Sequence, residues 1–312
     1  MLIWAGSEWA LLPIGNEGAN LQILDGKPTW VIPSGGVQFG FQEDFDKLNI
    51  KLDRLDSDKA EIVIEKEYGS LLNPNITSMS LLISTNFNPI LVNSSENEID
   101  LEDFSDEFGI GISFVSFNGL ERDTKYYYRA IINDEFIDEN VYSFKTPYAL
   151  GENFQGGILA YVYQPYEDEF VEGQMHGFVV AESALTDTAA WGCEGIALPG
   201  MVTGGFAGTT AAQNQAIIDG CEEAGIAVKL CNDLTLNGYS DWLLPSKDLI
   251  NNGIRKNEVL EKLSGIVDGY YWTCTPHSNN PAQSAWATHI NNGSNIQADK
   301  SIEYHIIPVR EF

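Results

Sequence analysis

The sequence predicts a multidomain, β-rich chain: a short β-rich leader (1–37), an all-β sandwich (38–147) and an α+β C-terminal domain (148–312). Three observations carry this reading. Runs that alternate apolar and polar residues, separated by turn residues at short intervals, fill the middle of the chain. The leader holds three of the seven tryptophans and very few charges. All four cysteines and all four histidines lie from His176 onward, where glycine-rich loops and helical periodicity first appear.

Bulk properties narrow the function classes. A length of 312 residues suits two or three domains, and 44% hydrophobic residues argue against a disordered chain. The 45 acidic residues outnumber 17 basic ones for a formal charge of −28, spread over all three regions. Such a surface repels phosphate, so no nucleic acid is expected as a partner. No stretch approaches the ~20 consecutive apolar residues of a membrane-spanning helix, so no membrane span is expected either. The opening MLIWAGSEWALLPIGNEG lacks a basic start and a cleavage site, and Glu8 interrupts its apolar run. It reads as part of the mature protein.

In the leader, GNEG and DGKP mark turns, and NLQIL and TWVI alternate as short strands do. So short a piece cannot form a core alone. Trp4, Trp9 and Trp30 are therefore expected to bury their rings against another domain, another copy of the chain or a larger assembly. The stretch EWALLPIGNEGANLQILDGKPTW resembles short repeats of phage fibre and other virion structural proteins, in which LPIG-x-x-G-x-x-L is followed by G-x-P-x-W. The resemblance implies a virion attachment segment, with those three tryptophans as docking residues. A hairpin that merely decorates the next domain is the alternative.

Between residues 38 and 147, AEIVIEKEY, SMSLLIST, GIGISFVSF and TKYYYRAII read as strands of a sandwich. Alternation in the last of these turns Tyr126, Tyr128 and Ala130 inward and Tyr127 and Arg129 outward. LERDTKYYYRAI, with leucine, threonine and tyrosine at fixed offsets, and the closing YSFKTP resemble the fibronectin type III sandwich or another immunoglobulin-like subtype. The resemblance makes Tyr126 a corner tyrosine whose hydroxyl bonds nearby backbone. Domains of this kind are usually spacers. The acidic run DLEDFSDEFGIG lacks the ligand spacing of an EF-hand and reads as a solvated loop. GIGISF sits in strand context and is no nucleotide loop.

Beyond residue 148, GGILAYVYQP and HGFVVAES read as strands, and GGFAGTTAAQNQAIIDGCEEAG as a loop feeding a helix. Thr209 or Thr210 can cap that helix and Gly225 can end it, with Ile217, Ile218, Cys221 and Ala224 on one face. The loop lacks the lysine of a phosphate-binding P-loop. AVKLCNDL suggests a second short helix. In NGYSDWLLPSKDL, Gly238 permits a tight turn, Trp242 is an apolar anchor, and Pro245 with Ser246 launches a helix through KDLINNGIRKNEVLEKL. Three strands follow: GYYWTCT, SAWATHINNG and EYHIIPVREF. Cys193, Cys221, Cys231 and Cys274 allow three pairings, which sequence cannot choose between. Cys274 and His277 form a C-x-x-H pair, half of a zinc site at most.

As a set, WGC, NGYSDWLLPSKDL, YYWTCT, SAWATHI and IIPVREF resemble a bacterial and phage family with a C-type-lectin-like fold, related to the C-terminal domain of a collagen-like adhesin. Trp242, Pro245, Ser246, Trp272, Trp286 and Arg310 fall on its motif positions and are implied framework residues. The fold implies display of variable loops. The candidates here are Pro276–Gln283 and His289–Gln297, which bring Asn279, Asn280, Asn291, Asn292 and Asn295, beside His289 and with Trp286 or Tyr271 as stacking rings. Amides donate and accept, as sugar hydroxyls require. The calcium-binding acid–asparagine motif of sugar-binding relatives is not intact, and no cofactor or metal is expected. No nucleophile–base motif appears, so the expected role is binding rather than catalysis. The leading expectation is a phage virion surface protein, a head or tail fibre or decoration. Its partners would be capsid or tail proteins at one end and a host-surface glycan or protein at the other. It would be a homo-trimer, since several copies give weak sites avidity. The alternative is a bacterial cell-surface adhesin or lipoprotein ectodomain.

Overall fold

The computed structural model describes residues 48–67, 76–86, 111–133 and 141–312, together with the backbone of strands 2–4, 9–11, 20–24, 27–31 and 135–136. It is a mostly β-sheet chain built from several small antiparallel sheets, an arrangement compatible with several domains.

The leader forms two hairpins. Strands β1 (Leu2–Trp4) and β2 (Trp9–Leu11) pair with Trp4 opposite Trp9. Strands β3 (Asn20–Leu24) and β4 (Lys27–Val31) pair with Leu21 opposite Trp30. The alternation in NLQIL and TWVI thus marks real strands. The side chains of Trp4, Trp9 and Trp30, and with them the docking expectation, lie outside the described residues.

The middle region holds two sheets over one core. The first orders β5 (Leu48–Leu55), β6 (Lys59–Lys66) and β8 (Ile112–Asn118) as β5-β6-β8. In the second, β9 (Lys125–Ile132) lies between β10 (Glu135–Phe136) and β11 (Tyr142–Lys145), and β7 (Met79–Ser84) also pairs with β9. Ile62, Ile64, Val115 and Phe117 of the first sheet meet Met79, Leu81, Ala130 and Phe144 of the second. Each of these side chains except Ala130 contributes about 1.5–3 kcal/mol on burial. Tyr126, Tyr128 and Ala130 are buried while Tyr127 and Arg129 are half-buried, the facing that alternation predicts. Tyr126 stacks on Phe144 at 5.7 Å between centroids, and its hydroxyl accepts the Glu121 N–H at 2.7 Å. The acidic run from Asp100 to Ile110 lies outside the described residues.

The C-terminal domain is closed by its own chain ends. Its main sheet runs β12 (Asn153–Phe154), β13 (Gly157–Val162), β14 (Gly177–Val180) and, last in sequence, β20 (Val309–Glu311). The Phe312 N–H donates to the Gly177 carbonyl at 3.0 Å. A second sheet orders β16 (Tyr270–Pro276), β17 (Ser284–His289) and β18 (Asn295–Asp299), and β15 (Ala189–Ala190) pairs with β19 (Glu303–Tyr304). Trp191, Trp242 and Trp272 are fully buried, and each indole N–H reaches a carbonyl: Thr273 at 2.9 Å, Tyr239 at 3.2 Å and Ala189 at 2.9 Å respectively. Buried indoles need such partners, and these three tie the loops to the sheets. Among the described residues no helix is long and apolar enough to cross a membrane.

Helices depart from expectation in several places. Helix α1 (Thr210–Gly220) follows a 3-10 turn at Ala207–Thr209, and neither threonine side chain caps it: the Thr209 hydroxyl donates to the Phe206 carbonyl instead. The helix stops at Gly220, well before Gly225, and Ala224 is exposed rather than on the buried face with Ile217 and Cys221. Helix α2 (Ala227–Asn232) is followed by a tight hairpin turn in which Asn237 and Gly238 both have positive φ, 53° and 84°. That is the asparagine–glycine pair such a turn selects. The long helix expected after Ser246 is broken. Helix α3 (Lys247–Leu249) runs into a π turn at Ile250–Ile254, and α4 (Asn257–Leu260) begins afresh. Asn251, Asn252 and Gly253 are weak helix formers, and Gly253 lies against the Ala160 carbonyl where a side chain would crowd the backbone. Ser246 caps α3 as expected, accepting the Leu249 N–H at 3.3 Å.

Cysteine pairing is resolved by the fold. Cys193 and Cys221 are disulfide-bonded, whereas Cys231 and Cys274 are buried thiols. Around NGYSDWLLPSKDL, the Arg310 guanidinium lies 3.9 Å from the Tyr239 ring centre and donates to Asp241 at 2.7 Å. It also reaches the Gln155 carbonyl at 3.3 Å. This dense stretch is held by the last strand of the chain.

The middle and C-terminal regions are joined by side-chain contacts. The Leu55 N–H donates to Gln164 Oε1 at 3.1 Å, and Arg122 pairs with Glu152. The Tyr148 ring packs on Phe154, which packs on Phe312, while its hydroxyl bonds Asp123 of the sandwich at 3.0 Å.

Candidate functional site

The candidate loops flank the β16-β17-β18 sheet. Its two faces differ because side chains alternate along a strand. Ala285 and Ala287 of β17 and Ile296 and Ala298 of β18 face the core with Trp272 and Cys274. Trp286 and Thr288 therefore share the other face with Asn295 and Gln297, and Trp286 sits directly opposite Gln297. That face carries the site.

Trp286 is half-buried. Its ring lies 4.5 Å from the His277 ring at an interplanar angle of 50°, and the Lys247 ammonium stands 5.2 Å from its centre. A cation beside an indole is attracted by the ring's electron-rich face. The Thr273 hydroxyl holds the Trp286 carbonyl at 2.8 Å, so the strand is fixed from behind. The Lys247 N–H donates to Thr275 at 3.1 Å and the Asp248 N–H to the Gly205 carbonyl at 2.9 Å. Phe206, 62% exposed, follows directly on Gly205. Burial beside this helix start also raises the Asp248 carboxyl above the ordinary range, with Lys247 acting against it.

The asparagines divide into two kinds. Asn279 and Asn280 are exposed, and among the described residues neither side-chain amide has a hydrogen-bond partner. The others are spent on structure. Asn295 accepts from Thr288 at 2.7 Å and Asn251 at 3.1 Å and donates to the Gly293 carbonyl at 3.1 Å. Asn292 accepts the Ser294 N–H at 2.8 Å, closing the turn, and Asn291 donates to Asp268 at 2.6 Å.

The structure does not bring all candidates together. His289 is three residues from Trp286 on one strand, an odd spacing that puts it on the opposite face. Its ring meets the edge of Tyr270 at 5.0 Å, and its Nε2 lies 3.6 Å from Asp268. Tyr271, the other candidate stacking ring, is fully buried and cannot meet a ligand. The stretch His289–Gln297 is not an open loop: it makes a tight turn and continues as β18. The strand expected over EYHIIPVREF splits into β19 and β20.

Lys247 and Phe206 lie outside the loops the sequence points to, while His277 and Gln297 fall within them without being singled out as ligand-binding residues. The available signal was the even spacing that groups Trp286 with its own face; the cross-strand and loop partners carry none. The C-x-x-H pair has no metal-site geometry. The Cys274 thiol is enclosed and pushed far above its ordinary range by burial, and His277 Nδ1 accepts the Asn279 N–H at 3.3 Å. Among the described residues, Cys193, Cys221 and Glu223 are the one cluster of potential ligands, and both its sulfurs are joined in the disulfide. No protein-family model matches the chain, and no curated protein matches its sequence.

Proposed function

We propose that this chain is an attachment protein of the virion surface whose C-terminal domain binds a saccharide or protein on a host surface. The observation that carries it is the Trp286 face, a half-exposed indole braced by His277 with a cation at 5.2 Å, and the adjoining loop after His277, where the exposed Asn279 and Asn280 amides have no partner among the described residues. An aromatic plane with nearby amides suits a pyranose, whose C–H face stacks while its hydroxyls exchange hydrogen bonds. The site rests on a sheet paired strand to strand, with the Trp286 carbonyl held by Thr273, so its backbone is in place before a ligand arrives.

The rest of the chain fits an extended display protein. In the middle region, strands β5, β6 and β8 against β7, β9 and β11 match the ABE and CFG sheets of an immunoglobulin-like sandwich, with Tyr126 as its corner tyrosine. That supports the fibronectin III/Ig-like spacer. The loop-rich C-terminal domain, closed by its own ends, supports the C-type-lectin-like reading. The disulfide suits an oxidising, extracellular setting, whether on a virion or on a bacterial surface. Leader docking and trimerisation complete the proposal.

A glycan array and a host-cell binding assay test it. Wild type should bind, and Trp286→Ala should weaken binding at least about tenfold, or 1.4 kcal/mol, with an unchanged melting transition. A folded Trp286→Ala protein that binds as well as wild type overturns the site.

A further inference from the structure

We propose that the cleft between the sandwich and the C-terminal domain is a second ligand site, taking a short anionic saccharide. Its carboxylate would be held by Lys59, Lys256 and Arg54, and a sugar ring would stack on Tyr166. The cleft encloses about 660 Å³ and is lined from both domains. That volume falls within the ~300–1,000 Å³ of small-ligand pockets, which favour domain junctions.

Charge is the first argument. The lining carries three bases against two acids, Asp56 and Glu61, where the chain as a whole carries 17 against 45. Lys59 and Lys256 are exposed, and among the described residues neither has an ion-pair partner. Arg54 forms loose, exposed ion pairs with Asp53 at 3.7 Å and Glu61 at 3.8 Å, weak enough in water for an entering carboxylate to compete for it. Asp53 and Glu167 also act on the Tyr166 ring, so the cleft is near charge balance where the chain as a whole is strongly acidic, and an entering anion meets Lys59 and Lys256 with less repulsion than elsewhere on the molecule.

The lining also has the chemistry of sugar recognition. Tyr148, Tyr161 and Tyr166 face one cleft, and Tyr166 is 68% exposed, a large ring left in water. Asn118 and Asn252, both exposed, add amides. The floor is preformed. Gln164 accepts the Leu55 N–H at 3.1 Å and donates to the Val162 carbonyl at 3.2 Å, so the two walls are tied before any ligand arrives. The cleft shares no residue with the Trp286 face, and the proposal does not depend on that site.

Isothermal titration of the full chain tests it, with tri-galacturonate and sialyllactose as acidic probes. Their neutral counterparts, the tri-galacturonate methyl ester and lactose, and acetate alone are the controls. At least one acidic saccharide should bind with a Kd of about 1 mM or tighter. The neutral counterpart should bind at least about tenfold more weakly. Lys59→Glu with Lys256→Glu should abolish binding, Tyr166→Ala should weaken it, and Trp286→Ala should leave it unchanged. The proposal is overturned if neither acidic saccharide binds, if the neutral form or acetate binds as well, or if Trp286→Ala rather than the cleft variants removes binding.

Discussion

Lys300 supplies the sharpest test of the C-terminal core. Its side chain has no solvent exposure, its ammonium lies 4.3 Å from the centre of the Trp191 ring, and it donates to the Ile196 carbonyl at 3.1 Å. Burial lowers its pKa from 10.5 to about 8. Below pH 8 both folded and unfolded chains carry the proton, and the cost of burying the charge is fully present. Between pH 8 and 10.5 only the unfolded chain holds it, so folding gains stability as pH rises through that window. At about 1.4 kcal/mol per unit, the gain from pH 7 to pH 10 is about 2.5 kcal/mol. Attraction to the Trp191 ring opposes the shift, which makes this the upper value. Lys300→Met keeps the stem and removes the titration. Urea unfolding of both proteins at pH 7, 8, 9 and 10, followed by tryptophan fluorescence, isolates the residue, because tyrosine ionisation cancels in the difference. The stability of wild type relative to the variant should climb through the window. A flat or falling difference would refute the placement of a charged lysine in this core.

Two further expectations concern the framework. Replacing both Cys193 and Cys221 by serine removes a bridge across 28 residues, and loop entropy puts the loss at about 3.5 kcal/mol by urea unfolding. A loss below about 1 kcal/mol would show that the α1 loops are ordered without the bridge. Tyr126→Phe keeps the ring stack on Phe144 but deletes the acceptor of the Glu121 N–H, so the sandwich should lose about 1 kcal/mol with little change in its circular dichroism. An unaltered unfolding midpoint would remove Tyr126 as the pin of that corner.

The strands of the sandwich are legible because alternation is local: TKYYYRAII buries Tyr126, Tyr128 and Ala130 as its pattern requires. The turn at Asn237–Gly238 and the cap at Ser246 are legible for the same reason, since each depends on a few adjacent residues. Tyr271 could stack on a sugar only if exposed, and it is not: β16 is covered on both faces, so its sequence does not alternate and gives no sign of which rings reach solvent. The broken helix after Ser246 was misread because weak helix formers give way where the Ala160 backbone crowds Gly253.

The candidate site was legible only in part. Asn279 and Asn280 are candidates from loop position and Trp286 from residue type, and period-two spacing along β17 separates His289 from Trp286. Lys247 and Gln297 were not found, because their meeting with Trp286 depends on contacts between elements far apart in the chain.

By itself the sequence determined the acidic charge, through composition, and the β-rich character and the facing of the strands between residues 48 and 145, through short-range patterning. Tertiary structure alone decided that Cys193 joins Cys221, that a lysine lies buried against Trp191, and that residues from the middle and the C-terminal regions line one cleft with Lys59 and Lys256. The physical reason is that side-chain periodicity reports which face is apolar, whereas pairing across long chain separations is set by packing, which leaves no mark on neighbouring residues.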